Sequence, residues 1–216
     1  GERGGAGGPF LSKRGRWLRA PPPGAAPARH IDRCLGCLAC MTTCPSGVDY
    51  MHLLDHARQH IERTWRRPLA DRLLRGMLAA VLPHPGRFRL ALAAARPARP
   101  LRRLMPDARL RAMLDMAPRR IPPASPCDAP QTFAAAGPRR LRVALMTGCA
   151  QRALDPAINE ATIRLLVRLG CEVVVPPGAG CCGALTHHMG REEPSRRMAA
   201  ANIRAFLAVR AAGGLD

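Results

Sequence analysis

Apolar positions along this chain recur with two different periods. Val48, Met51, Leu54, Ala57, Ile61 and Trp65 stand three or four residues apart, the spacing that lays one stripe along a helix. Ser46 and Asp49 precede that stripe in a Ser-x-x-Asp pattern, and together they would satisfy the free amides of the first turn. Further helices are predicted over Leu69–Leu82, Pro85–Ala95 and Asp107–Ala117, punctuated by prolines at 83, 85, 97, 100 and 106. Beyond residue 140 the period changes. Leu141, Val143 and Leu145 alternate with Arg142, Ala144 and Met146, which predicts a strand. Asp155 and Pro156 supply an N-cap and a first-turn proline for a helix with Ile158, Ala161, Leu165, Leu166 and Leu169 on its buried stripe, and Gly170 closes it. Cys171–Val175 reads as a second strand. Strand, helix and strand make a right-handed parallel crossover.

The fold class is therefore α+β. A helical segment occupies residues 28–117, and an α/β segment occupies 139–216. Between them, residues 118–138 hold six prolines and no period, as a linker or long connection does. Residues 1–27 hold seven glycines and five prolines with no sustained apolar pattern, and are expected to be disordered or aberrant. They lack the apolar core of about 7–15 residues that marks a secretory signal.

Composition removes several function classes. Of the 216 residues, 34 are Lys or Arg against 15 Asp or Glu, and Lys13 is the only lysine. A net charge of +19 is the footprint of a phosphate binder. Against that, aromatics make up just 3% of the chain, leaving no stacking platform for bases, and an arginine excess beside abundant Ala, Gly and Pro matches GC-rich coding bias. Nucleic acid is not the expected partner. The nine cysteines are clustered and odd in number, against a disulfide scaffold. No apolar run approaches the ~20 residues of a membrane-spanning helix. Fifteen arginines and three acids between Arg63 and Arg120 form either a solvated helical face or a docking surface for an acidic partner or anionic lipid.

The chemistry lies in the cysteines. Cys34, Cys37, Cys40 and Cys44 are spaced x2, x2, x3 and followed by Pro45. This is the run that binds 4Fe–4S clusters in bacterial ferredoxins, the fourth cysteine serving the other cluster of a pair. Two-residue gaps bring successive sulfurs to neighbouring corners of one cube, and small Gly36 and Ala39 let backbone amides approach its sulfides. Zinc sites draw thiolates as two pairs across a spacer of about 12–20 residues, so four thiols in eleven residues favour iron–sulfur over a zinc-stabilised basic module. The helical segment thus reads as ferredoxin-type, one run of a pair. Cys127, in the Pro-rich stretch, is not expected to supply a missing ligand. His52, His56 and His60 share one helix face, read as a solvated polar face.

A second set lies beyond the strands. Cys149 follows the first, and Cys181 and Cys182 follow the second, so all three reach the carboxyl edge of a parallel sheet, where open α/β folds build sites. Gly178, Gly180 and Gly183 surround the pair and allow close backbone approach. A metal or cluster site is favoured over a buried thiol group. Cys171 is expected in the core. His187 and His188 lie either near the site or at the cap of the next helix.

Three stretches, His30–Cys34, Cys44–Leu53, and Gly148-Cys149 with Gly180–Leu185, together resemble the iron–sulfur subunits of bacterial glycolate oxidases. Residues 29 to about 212 carry the resemblance. It implies an electron-transfer subunit of an oxidoreductase complex, relaying electrons from FAD-containing flavoprotein subunits, where the substrate chemistry resides, toward an acceptor such as quinone. It implies two 4Fe–4S clusters in the complete protein, and two Cys-Cys-Gly halves of which residues 139–216 are the first, so the chain reads as a fragment. It implies a cytoplasmic place, with peripheral contact on the inner face of the inner membrane left open. Related iron–sulfur subunits acting on lactate, glycerol 3-phosphate or heterodisulfides are the neighbouring alternatives.

Overall fold

A computed structural model describes residues 24–216; the disorder expected of residues 1–23 lies outside the described residues. Those up to Arg67 form one compact unit, and Pro68–Asp216 form a second.

Helix α1 (Ala25–Arg33) already includes residues 25–27, which the glycine- and proline-rich composition had assigned to the disordered start. It has no acidic first turn and no side-chain cap, so its start carries only a weak sequence signal, though His30 and Arg33 stand in its last turn. What holds it is tertiary. It packs against α3 (Tyr50–Thr64), and Ala28, Ala57 and Ile61 are buried in this unit. The Arg67 guanidinium then pairs with Asp32 at the end of α1 and with Glu62 near the end of α3. The short α2 (Ala39–Thr42) lies in the loop that joins them.

Helix α3 starts in a different register from the Ser46 capping box. Asp49 is its N-cap, accepting from the amides of Met51 (3.1 Å) and His52 (3.3 Å). Gly47 has φ +60°, so the chain is left-handed where a helix capped by Ser46 would have begun. Of the histidine face, His52 and His56 are exposed, whereas His60 is half-buried with its Nε2 shielded from solvent.

The second unit opens with α4 (Leu69–Val81), α5 (Pro85–Ala98) and α6 (Ala108–Met116), close to the expected bounds. Asp107 caps α6 by accepting from the Arg109 amide (2.8 Å), and the Arg109 side chain also reaches Asp71 of α4 (2.7 Å). The side-chain hydrogen bond from Arg109 is the main reason the Asp107 carboxyl is held down at about 2.

The sheet has three strands in the order β1 (Gln131–Phe133), β3 (Cys171–Val175), β2 (Leu141–Ala144). β2 and β3 are parallel, with Val143 opposite Val173, and the connection between them runs through α7 (Gln151–Leu154) and α8 (Ala157–Arg168). α8 is capped by Pro156, one residue later than its Asp-Pro pattern predicts. Val173, Val174 and Val175 are all buried, so both faces of the central strand are covered. Cys171 lies in the core with Val173 and Ile163 of α8, and Cys127 packs against it.

The Pro-rich stretch 118–138 contributes structure of its own. A 3-10 turn at Pro126–Asp128 leads to β1, which pairs antiparallel with β3. After the sheet come α9 (Ala184–His188) and the long α10 (Glu192–Gly213). Among the described residues, no helix is long and apolar enough to cross a membrane.

Gly170 closes α8 at φ +85°, where a Cβ would stand 2.8 Å from the Arg140 side chain. Gly170→Ala should destabilise the chain by about 1–2 kcal/mol. Urea denaturation should show a lower midpoint with an unchanged slope.

Candidate functional site

The first cysteine group lies on the loop from α1 to α3. Cys34 directly follows α1 in extended conformation, Cys37 sits in the turn, Cys40 lies on α2, and Cys44 follows it. All four are free thiols; the first three are exposed and Cys44 is half-buried. The loop turns by left-handed residues on each side of Cys37, Gly36 at φ +68° and Leu38 at φ +59°. Leu38 is the only non-glycine with positive φ among the described residues, a conformation costing about 1–2 kcal/mol for an L residue. Strain of this kind persists where surrounding structure enforces it, and it clusters at functional sites.

The start of this loop is held by α3. Arg58 is only 8% exposed, and its Nη2 donates to the Cys34 carbonyl at 2.7 Å. A Cβ on Gly36 would stand 3.6 Å from the same guanidinium and 3.8 Å from Leu54, so the turn lies directly on this helix. Among the described residues, no three His, Cys, Asp or Glu side chains are grouped so as to hold a metal ion. In donor chemistry the loop nonetheless fits an iron–sulfur group, because four unpaired thiols share one short, solvent-accessible segment.

The second group is drawn together by the parallel sheet. Cys149 follows β2 and Cys181 follows β3, and the Cys181 thiol donates to the Cys149 sulfur at 3.5 Å. Cys182 is exposed beside them. Burial pushes the Cys181 thiol up to about 11; its hydrogen bond to Cys149 adds to that, and the Gly183 amide at 3.5 Å opposes it. His187 and His188 occupy the last turn of α9, their rings 5.6 Å apart edge to face.

Two buried asparagines hold the loops that carry these thiols. Asn202 of α10 accepts from the Gly180 amide (2.9 Å) and donates to the Cys181 carbonyl (2.8 Å). Gly183 lies against the same helix, where a Cβ would meet the Ser195 carbonyl at 2.8 Å. Asn159 of α8 donates to the Thr147 carbonyl (2.9 Å), two residues before Cys149, and to Asp128 (2.6 Å). Gln151 donates to Asn159 in turn, beneath Gly148 at φ +73°.

The seven candidate cysteines are named by the sequence pattern; these supports are not. Asn202 and Arg58 lie on helices at positions adjoining or within apolar periods, where a polar residue is the available signal of a buried partner. Asp128 had none, lying in the Pro-rich stretch.

Residues 143–212 match the family model of the cysteine-rich domain. The chain is similar to the glycolate oxidase iron–sulfur subunit of Escherichia coli (strain K12), 39% identical over 177 residues, or 82% of this chain and 40% of that one. It is similar also to the probable glycolate oxidase iron–sulfur subunit of Bacillus subtilis (strain 168), 34% identical over 84% of this chain and 43% of the relative. A lactate utilization protein A from Exiguobacterium sp. is 38% identical over 64 residues, 30% of this chain and 26% of the relative. The chain thus spans about two fifths of the length of the first two relatives. No solved structure matches it.

Alkylation of Cys181 in the metal-free chain should climb only as pH approaches about 11. Asn202→Ala should cost about 1–3 kcal/mol and speed that alkylation at a given pH, read by peptide mapping. An unchanged rate in a folded variant would contradict the clamp.

Proposed function

Because this chain is a homologue of glycolate oxidase iron–sulfur subunits over more than four fifths of its length, we propose that it is an electron-transfer subunit of a glycolate-oxidising complex. One observation carries the reading. The Cys34–Cys44 thiols stand free on a single turn-rich loop, and the same chain carries a cysteine-rich domain whose strand ends bring Cys149 and Cys181 together.

In this reading Cys34, Cys37 and Cys40 hold three irons of a 4Fe–4S cluster, and Cys44 serves the second cluster of the complete protein. Such clusters, when bound, supply one-electron storage and transfer. The chain's own contribution is to present the thiolates, turn the backbone at Gly36 through its left-handed conformation (φ +68°), and hold the loop backbone against α3. Cys149, Cys181 and Cys182 form a further metal or cluster site. Residues 28–117 constitute the ferredoxin-type part and 139–216 the first cysteine-rich half.

The proposed donors are FAD-containing flavoprotein subunits that oxidise the 2-hydroxy acid, and the proposed acceptor is quinone, reached by a peripheral contact with the inner membrane. No general base or carboxylate clamp stands out on either loop, which supports placing substrate chemistry on those partners. The likeness to lactate utilization protein A supports lactate as the second candidate donor, over a smaller share of the chain.

The chain produced with its partner subunits should contain iron and acid-labile sulfide, and Cys37→Ala should remove a cluster signal from the reduced EPR spectrum. Zinc without sulfide, or an unaltered spectrum, would overturn the assignment.

A further inference from the structure

The feature of the first unit that its packing does not require is the burial of a cation. Arg58 follows Ala57 and precedes Ile61 by three residues, on the inward face of α3 where an apolar side chain would serve packing alone. Taking a guanidinium out of water costs several kcal/mol unless hydrogen bonds repay it. Here one of those bonds goes to the main chain of a cysteine, from Nη2 to the Cys34 carbonyl at 2.7 Å. The fork also lies against Gly36, whose ideal Cβ position is 3.6 Å from Nη1 and 3.7 Å from Nη2. Guanidinium, carbonyl and glycine thus meet at the turn that separates Cys34 from Cys37.

We propose that Arg58 is a positioning residue that fixes the Cys34–Cys37 turn for ligation and raises the reduction potential of the cluster those thiolates hold. This rests on the iron–sulfur reading above.

The positioning follows from geometry. A carbonyl pinned by a charge-assisted bond fixes the peptide that follows Cys34, and a planar fork cannot rotate as a lysine ammonium can. The turn is in van der Waals contact with α3 through the same guanidinium and through Leu54, 3.6–3.8 Å from the Cβ position of Gly36. The tuning follows from charge. One-electron reduction adds one negative charge beside these thiolates, and a permanent cation shielded from water favours the more negative state. Net charge and hydrogen bonding around the ligands are among the levers by which a protein sets cluster potential.

The test compares Arg58→Lys and Arg58→Gln with the unaltered chain, each produced with its partner subunits. Two quantities are read: the midpoint potential from an EPR-monitored redox titration, and, in the metal-free chain, hydrogen exchange of the Cys34 amide, which donates to the Ile31 carbonyl (3.2 Å) at the start of the loop. Both variants should exchange about tenfold faster at the loop, the consequence of losing one charge-assisted bond. Arg58→Gln should shift the potential downward, while Arg58→Lys, which keeps the charge, should stay near the unaltered value. Unchanged exchange in either variant overturns the positioning role, and an unchanged potential in iron-loaded Arg58→Gln overturns the tuning role. If Arg58→Gln does not fold, Arg58→Lys decides, since a potential that falls in the lysine variant contradicts tuning by charge. Absence of iron and sulfide from the unaltered chain would sink the iron–sulfur reading itself, while loop exchange would still report on the clamp.

Discussion

A loop that brings thiols to a surface leaves backbone amides and carbonyls with no helix or strand to satisfy them, and the loops carrying Cys34, Cys149 and Cys181 meet that constraint in the same way. A buried polar side chain on a neighbouring helix takes up the orphaned groups. Arg58 does so for Cys34, Asn159 for Thr147 just ahead of Cys149, and Asn202 for both Gly180 and Cys181. Each anchor is a helix residue, so the loop inherits the rigidity of the helix. Each also costs more to lose than an apolar contact would, because its removal leaves a backbone group unsatisfied.

The second site adds a topological requirement. Cys149 and Cys181 are 32 residues apart yet meet at 3.5 Å, because β2 and β3 are parallel and end at the same sheet edge. The helix that returns the chain, α8, also delivers Asn159, whose other partner Asp128 comes from the turn before β1. Antiparallel β1 therefore extends the sheet and at the same time leaves its preceding turn beside the site. The stretch between the helical and α/β segments is structural for that reason, despite its prolines.

How much of this the sequence could reveal depends on the range of the interaction involved. The candidate cysteines were legible because the spacing of a motif is a local property. So were α4, α5 and α6 and the two parallel strands, whose periods are local too. The start of α3 was not, since Ser46 and Asp49 both satisfy a capping pattern and only the left-handed Gly47 decides between them. Helix α1 and strand β1 were missed because each is short and is stabilised by distant partners, Asp32 by Arg67 and Phe133 by β3. Arg58 and Asn202 were passed over for the same reason. A polar residue near an apolar stripe reads as an interruption until its partner, 24 residues away for Arg58 and 21 for Asn202, is placed in contact.

The arginine excess also takes on structural content. With 34 basic residues against 15 acidic ones, carboxylates are outnumbered by more than two to one, and among the described residues several guanidinium groups donate to main-chain carbonyls. Arg75 donates to the Met189 carbonyl (2.7 Å), Arg89 to those of Pro122 and Arg152, and Arg142 to Gly214 (3.0 Å). Each joins segments distant in sequence within the second unit, as Arg67 joins α1 to α3 within the first. A lysine could match the charge but not the fork, which reaches two acceptors in one plane. These contacts show how the fold uses its arginines. The net charge is therefore a weak guide to any polyanionic partner, because part of what makes it large is the set of donors that closes the chain upon itself.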